Sequence, residues 1–182
     1  MEPIDPYSQG DLDGLCGLYA IINAVCALCP EIDEDMAFGL FGNLARHIQM
    51  QRIKEPLPII AYGVGSTSLR LLLERAMRFV RKNLGVEIAL TQLAMGRRNL
   101  DLRKLWQLLA KELDGEQVAI LQIRGASQHW TVAYAATETT LRLIDSNERK
   151  VLVRSRCTLN ETRSRFRLSP SDMFVLRRTT AW

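Results

Sequence analysis

From Leu18 the apolar positions fall at Leu18, Ile21, Ile22, Val25, Cys26 and Cys29, an i, i+3, i+4, i+7, i+8, i+11 spacing that predicts one stripe of a helix. The opposite flank, Tyr19, Ala20, Asn23 and Ala24, is small or apolar as well, so this helix is expected to be central and buried on most of its circumference. A second helix is predicted from the acidic start Glu31-Ile32-Asp33-Glu34-Asp35, with Met36, Leu40, Phe41, Leu44 and Ile48 continuing an apolar face to Gln49. Glu55-Pro56-Leu57-Pro58 breaks the pattern, and Tyr62-Gly63-Val64-Gly65-Ser66 reads as a flexible turn. Ser66 or Ser68 is expected to cap a third helix whose buried stripe is Leu69, Leu72, Leu73, Ala76, Met77 and Val80. Val86 to Leu90 alternates like a short strand, and Asp101 reads as the N-cap of a helix from Leu102 to Leu113 that turns Leu105, Leu108 and Leu109 inward and ends at Asp114-Gly115.

After Gln117 the period changes. Val118 to Ile123, His129 to Ala136, Thr140 to Asp145, Lys150 to Val153 and Met173 to Leu176 read as strands, and Gly125-Ala126-Ser127 as a turn. The stretch 158–171, rich in Arg, Ser and Thr, is expected to be a loop. Helices first and an antiparallel sheet after predict an α+β fold, with the first helix packed on the sheet.

A chain of 182 residues with 47% hydrophobic content is expected to form one domain over residues 1–182. The N-terminus lacks the basic and apolar regions of a secretory signal, and no apolar run approaches membrane-spanning length. The four cysteines do not resemble a secreted disulfide framework, so a reducing, cytoplasmic compartment is expected, with export as an effector left open. Charge is uneven: residues 1–45 hold eight acidic and no basic side chains, while residues 142–182 hold ten basic and four acidic. Arg154, Arg156, Arg163, Arg165 and Arg167 stand at near-alternate positions that could line one strand face. Such a face suits an acidic protein partner or simply solvent; with no aromatics among the arginines, nucleic acid is not expected.

Chemistry concentrates at Cys16. The polar turn from Gly10 to Gly14 gives way at Leu15 to the apolar helix, so Cys16 falls in its first turn. Unpaired N–H groups and the macrodipole there favour an anion, which makes a cysteine at a helix start a candidate nucleophile. The chain has two histidines. His129 opens a strand, whereas His47 lies near a helix C-terminus, where a cation is favoured and a structural role fits better. Asp145 ends the next strand, and a hairpin across Thr137-Glu138-Thr139 would lay the two together, because paired strands run about 4.8 Å apart. The carboxylate could then orient the imidazole beside Cys16, with Asn147 a fallback for Asp145. Trp130 either shields that pair or fills the core. Cys26-Ala27-Leu28-Cys29 has redox or metal-ligand spacing but falls at a helix end before Pro30, so a core role is expected, with no metal and no cofactor. Gly63-Val64-Gly65 is no nucleotide loop, since no Lys-Ser/Thr follows.

The order of these residues, Gln9, then Cys16 at a helix start, His129 at a strand start and Asp145 at the next strand end, resembles papain-like cysteine peptidases. The pair Gln9-Gly10-Asp11, the Cys16-Gly17 step and the His129-to-Asp145 spacing are similar to the leader-peptide-cleaving (double-glycine) peptidase domains of bacteriocin exporters and their stand-alone relatives. That resemblance implies a papain-like fold with Cys16 as nucleophile, His129 as base, Asp145 as its orienter and Gln9 as donor to the oxyanion. Gln9 stands seven residues before Cys16 where the family has six, and Leu15 replaces the aspartate that usually precedes the cysteine. A peptide or protein substrate is implied. Glutamine deamidation, transglutamination and acyl transfer use the same three residue types, and a silent binding module with an arginine-rich face is the non-enzymatic alternative.

Overall fold

The computed structural model describes residues 4–9, 14–50, 63–94, 100–113, 115–125, 128–160 and 166–179. Among these, the helices are α1 (Cys16–Leu28), α2 (Glu34–Met50), α3 (Ser66–Leu84) and α4 (Leu102–Glu112). The strands are β1 (Glu87–Gln92), β2 (Gln117–Arg124), β3 (Gln128–Ala136), β4 (Thr140–Ile144), β5 (Val151–Val153), β6 (Cys157–Thr158) and β7 (Phe166–Thr179). They form one sheet in the order β1-β7-β2-β3-β4-β5, antiparallel throughout, with the short β6 alongside the start of β7 in parallel. The fold is α+β, as the change of period predicts.

The sheet divides the interior into two cores. On one face, Val118, Ile120, Trp130, Val132, Ile144, Phe174 and Leu176 pack against α1, α2 and α3. On the other, Ala119, Leu121, Ile123, Ala133, Leu141, Met173 and Val175 pack against Leu105, Trp106, Leu108 and Leu109 of α4. Helix α4 therefore covers the face opposite to the cysteine helix, making three layers rather than the two that helices-then-sheet suggests. Helix α1 is the spine of the first core: every residue of it is buried except the half-buried Tyr19. Each large aliphatic side chain so placed contributes about 1.5–3 kcal/mol. At its far end Arg178 of β7 donates to the Leu28 carbonyl at 3.5 Å and to both Glu31 oxygens at 2.7 and 2.9 Å, which locks the sheet to the helix C-terminus.

Several expectations need correction. The stretch read as a loop is strand at Thr158 and from Phe166 onward: β6 covers 157–158 and β7 begins at Phe166, with Leu168 buried against Ile123. Polar residues hide this strand because it is irregular. Its pairing with β2 shifts between Leu121 and Ile123, and the shift interrupts the alternation. The arginines do not share one strand face: Arg154 and Arg156 lie in a 3-10 turn, Arg167 lies in β7, and Arg163 and Arg165 fall outside the described residues. Neither Ser66 nor Ser68 caps α3; its N-cap is Gly65, and the Ser66 hydroxyl is spent on Asp172. Asp101 does cap α4, accepting from the Lys104 N–H at 2.7 Å. The Pro-containing break at 55–58 and the turn residues 126–127 lie outside the described residues.

Candidate active site

Three side chains from three elements converge at one end of the sheet. Cys16 is the first residue of α1 and is buried. Its Sγ receives the backbone N–H of Trp130 at 3.5 Å, so the sulfur is registered against the start of β3. The β3–β4 hairpin places Val132 opposite Ile144, which puts Asp145 one step past the pairing and level with the residues that follow His129. Across that corner His129 Nε2 lies 2.8 Å from Asp145 Oδ2. With Nε2 taken by the carboxylate, Nδ1 is the ring nitrogen left free of Asp145, and Cys16 is the second group that raises the ring.

The carboxylate is prepared by its own turn. Asp145 Oδ1 accepts the backbone N–H groups of Asn147 at 2.9 Å and Arg149 at 3.3 Å, and the turn closes with Glu148 at φ 59°. Asn147 itself is exposed and serves through its backbone. Burial opposes the Asp145 charge, but the hydrogen bond and charge of His129 and the N–H of Asn147 prevail and hold the carboxyl below its ordinary value. Thr131 Oγ1 lies against the same carboxylate and adds to that effect, although it stays outside hydrogen-bonding geometry. Burial likewise opposes a charge on His129. The hydrogen bonds to Asp145 and Cys16 outweigh it, and the imidazole is raised to about 9.

The Cys16-Gly17 step has a packing cause. A side chain at Gly17 would meet Val64 Cγ2 at 2.3 Å and Leu69 Cδ1 at 3.2 Å, so only hydrogen lets α1 seat under the residues that precede α3. Val64 also accepts the Trp130 indole N–H at 2.8 Å through its carbonyl. Trp130 therefore fills the core and joins the turn to the strand bearing His129. The turn read as flexible is an anchor: Val64 is buried, and Gly63, at φ 81°, approaches the Gly14 carbonyl so closely that a Cβ would stand 2.9 Å from it.

Gln9 reaches this region through its backbone, donating to the Ser146 carbonyl at 2.9 Å beside Asp145. Asn23, fully buried on α1, fixes the same segment two residues earlier by accepting from Tyr7 N at 2.8 Å and donating to Tyr7 O at 3.2 Å. Sequence reasoning assigned Asn23 to a helix flank and missed this clamp; an amide inside an otherwise apolar helix was the available signal. Asp11 lies outside the described residues.

The remaining candidates stand apart from the constellation. Cys26 of α1 and Cys29, which caps it, lie in the core, where burial pushes each thiol up to about 11. His47 sits in the last turn of α2, but burial and then Arg75 and Arg78 of α3 lower its pKa, and together they overturn the expected favouring of a cation there. No helix among the described residues is long and apolar enough to cross a membrane. A scan of protein-family models, a search of curated proteins and a search of solved structures each find no match for this chain.

Proposed function

We propose that this protein is a cysteine-type hydrolase of papain-like character that cleaves a peptide or isopeptide bond through Cys16, His129 and Asp145. The observation that carries the reading is the 2.8 Å His129 Nε2–Asp145 Oδ2 contact at the start of a strand whose next residue, Trp130, donates its N–H to the Cys16 sulfur at a helix start. His129 takes the Cys16 proton and the thiolate attacks the carbonyl carbon. The oxyanion is met by the Cys16 backbone N–H, one of the donors that a first helical turn leaves over, and by the Gln9 side chain. The imidazolium then protonates the departing amine, and water, activated by the neutral ring, resolves the thioester. Asp145 keeps the ring in one orientation throughout. The resemblance to double-glycine leader peptidases supports a peptide substrate.

The test is digestion of a denatured-proteome peptide library with the wild type and with Cys16→Ala, followed by mass spectrometry. New peptide termini that require Cys16 are expected. A gain of one mass unit at glutamine without chain cleavage would replace hydrolysis with deamidation, and a library unchanged by a protein whose Cys16 still alkylates in a His129-dependent way would overturn the enzymatic reading.

A further inference from the structure

One polar cluster beside the site has no part in the mechanism above. At the pairing shift between β2 and β7, buried Asp172 receives the Ser66 hydroxyl on Oδ1 and Arg124 Nη2 on Oδ2 at 3.2 Å. Arg124 Nε donates to the buried Gln122 Oε1 at 2.7 Å. The guanidinium is thus held from two sides by acceptors that are themselves fixed, and Nη1 makes no hydrogen bond among the described residues.

Its position is set by two routes that both lead to the thiol. Along the sheet, Gln122 is paired with Trp130, whose backbone N–H donates to Cys16 Sγ, and Arg124 is paired with Gln128, the residue before His129. On the helix side, Ser66 follows directly on the Val64-Gly65 turn that packs against Gly17. The ion pair is also unequally exposed: the Asp172 side chain is 10% accessible and that of Arg124 is 34%. The anion faces the interior and the cation faces solvent at the end of β2. An arginine clamped in this way presents a planar donor edge with little entropy left to lose, which suits a carboxylate.

We propose that Arg124, positioned by Asp172 and Gln122, is a substrate-binding residue that receives a carboxylate of the peptide, from an acidic side chain or a chain terminus, next to the bond that Cys16 attacks. The proposal rests on the thiol-hydrolase reading and narrows it to peptides that carry a carboxylate next to that bond.

Iodoacetate and iodoacetamide differ in one carboxylate, so the ratio of their second-order rates at Cys16, read on the Cys16 peptide by mass spectrometry, reports the cation without any knowledge of the substrate. Arg124→Gln is expected to lower that ratio about three-fold, the size expected of one charge acting through a partly solvated site. Arg124→Lys should keep most of the ratio, and Asp172→Asn should raise it by a similar factor. A ratio unmoved by both Arg124→Gln and Asp172→Asn overturns the proposal; should Arg124→Gln fail to fold, the Asp172→Asn ratio alone decides. Failure of the underlying reading shows separately, as iodoacetamide rates that do not change in His129→Ala.

Discussion

Replacing Asp145 by asparagine keeps the size of the side chain and its acceptor for the Asn147 and Arg149 N–H groups, but removes the charge 2.8 Å from His129. In the folded protein His129 is raised from 6.5 to about 9. It therefore binds a proton more tightly folded than unfolded. That difference stabilises the fold in full below about 6.5 and is lost as the pH rises through about 9. The shift corresponds to about 3 kcal/mol at pH 6 to 7 and almost nothing at pH 9.5. His129 is only 17% exposed and Asp145 1%, so solvent screening takes little from this. Asp145 supplies the larger of the hydrogen bonds that raise the ring, with Cys16 second, so Asp145→Asn should remove about 2 kcal/mol at pH 6 to 7 that is no longer there to lose at pH 9.5. Urea unfolding followed by far-UV circular dichroism at the two pH values measures it. With a slope near 2 kcal/mol/M the midpoint should fall about 1 M further at the lower pH. A destabilisation equal at both pH values, within about 0.5 kcal/mol, would refute the charge-assisted pair and leave only a packing cost.

Three further outcomes follow from the same contacts. Gly17→Ala should cost about 1–3 kcal/mol by overpacking against Val64 and should slow Cys16 alkylation, because α1 must move away from the Trp130 N–H; thermal melting and rate measurement on one sample check both. Cys16→Ala should lower the His129 pKa in NMR titration, since the thiol is the second group that raises it, and an unchanged value would separate the two residues. Asn23→Ala should free the segment at Tyr7, costing about 1–3 kcal/mol for the buried amide contacts, and should increase hydrogen exchange at Tyr7 and Gln9 while leaving β3 protected.

The His–Asp pair was legible in the sequence because both residues belong to one hairpin. Strand ends sixteen positions apart across a short turn meet whatever the rest of the chain does, and the Thr137–Thr140 turn closes as the polar residues suggest. The approach of Cys16 to that pair was an expectation that no local pattern could secure, since it spans more than a hundred positions. Gln9 shows the limit: the sequence places it upstream of the cysteine, and only the Asn23 and Ser146 contacts bring its segment to the end of β4. Arg124 and Asp172 gave no signal at all, one being a single charged residue at the end of β2 and the other a single charged residue in the middle of β7.

Local pattern encodes the amphipathic and apolar runs: the buried α1, the stripes of α2 and α3, the Asp101 cap, and the hairpin carrying His129 and Asp145. Each follows from a period of 3.6 or 2 residues or from a cap a few positions away, and such short-range couplings leave a local trace. Tertiary structure alone decided that β7 inserts between β1 and β2, that α4 covers the opposite face, and that Val64 clamps Gly17 and Trp130. These depend on which distant surfaces fit together, and a side chain that meets its partner across 48 to 114 positions carries no periodicity that could announce it.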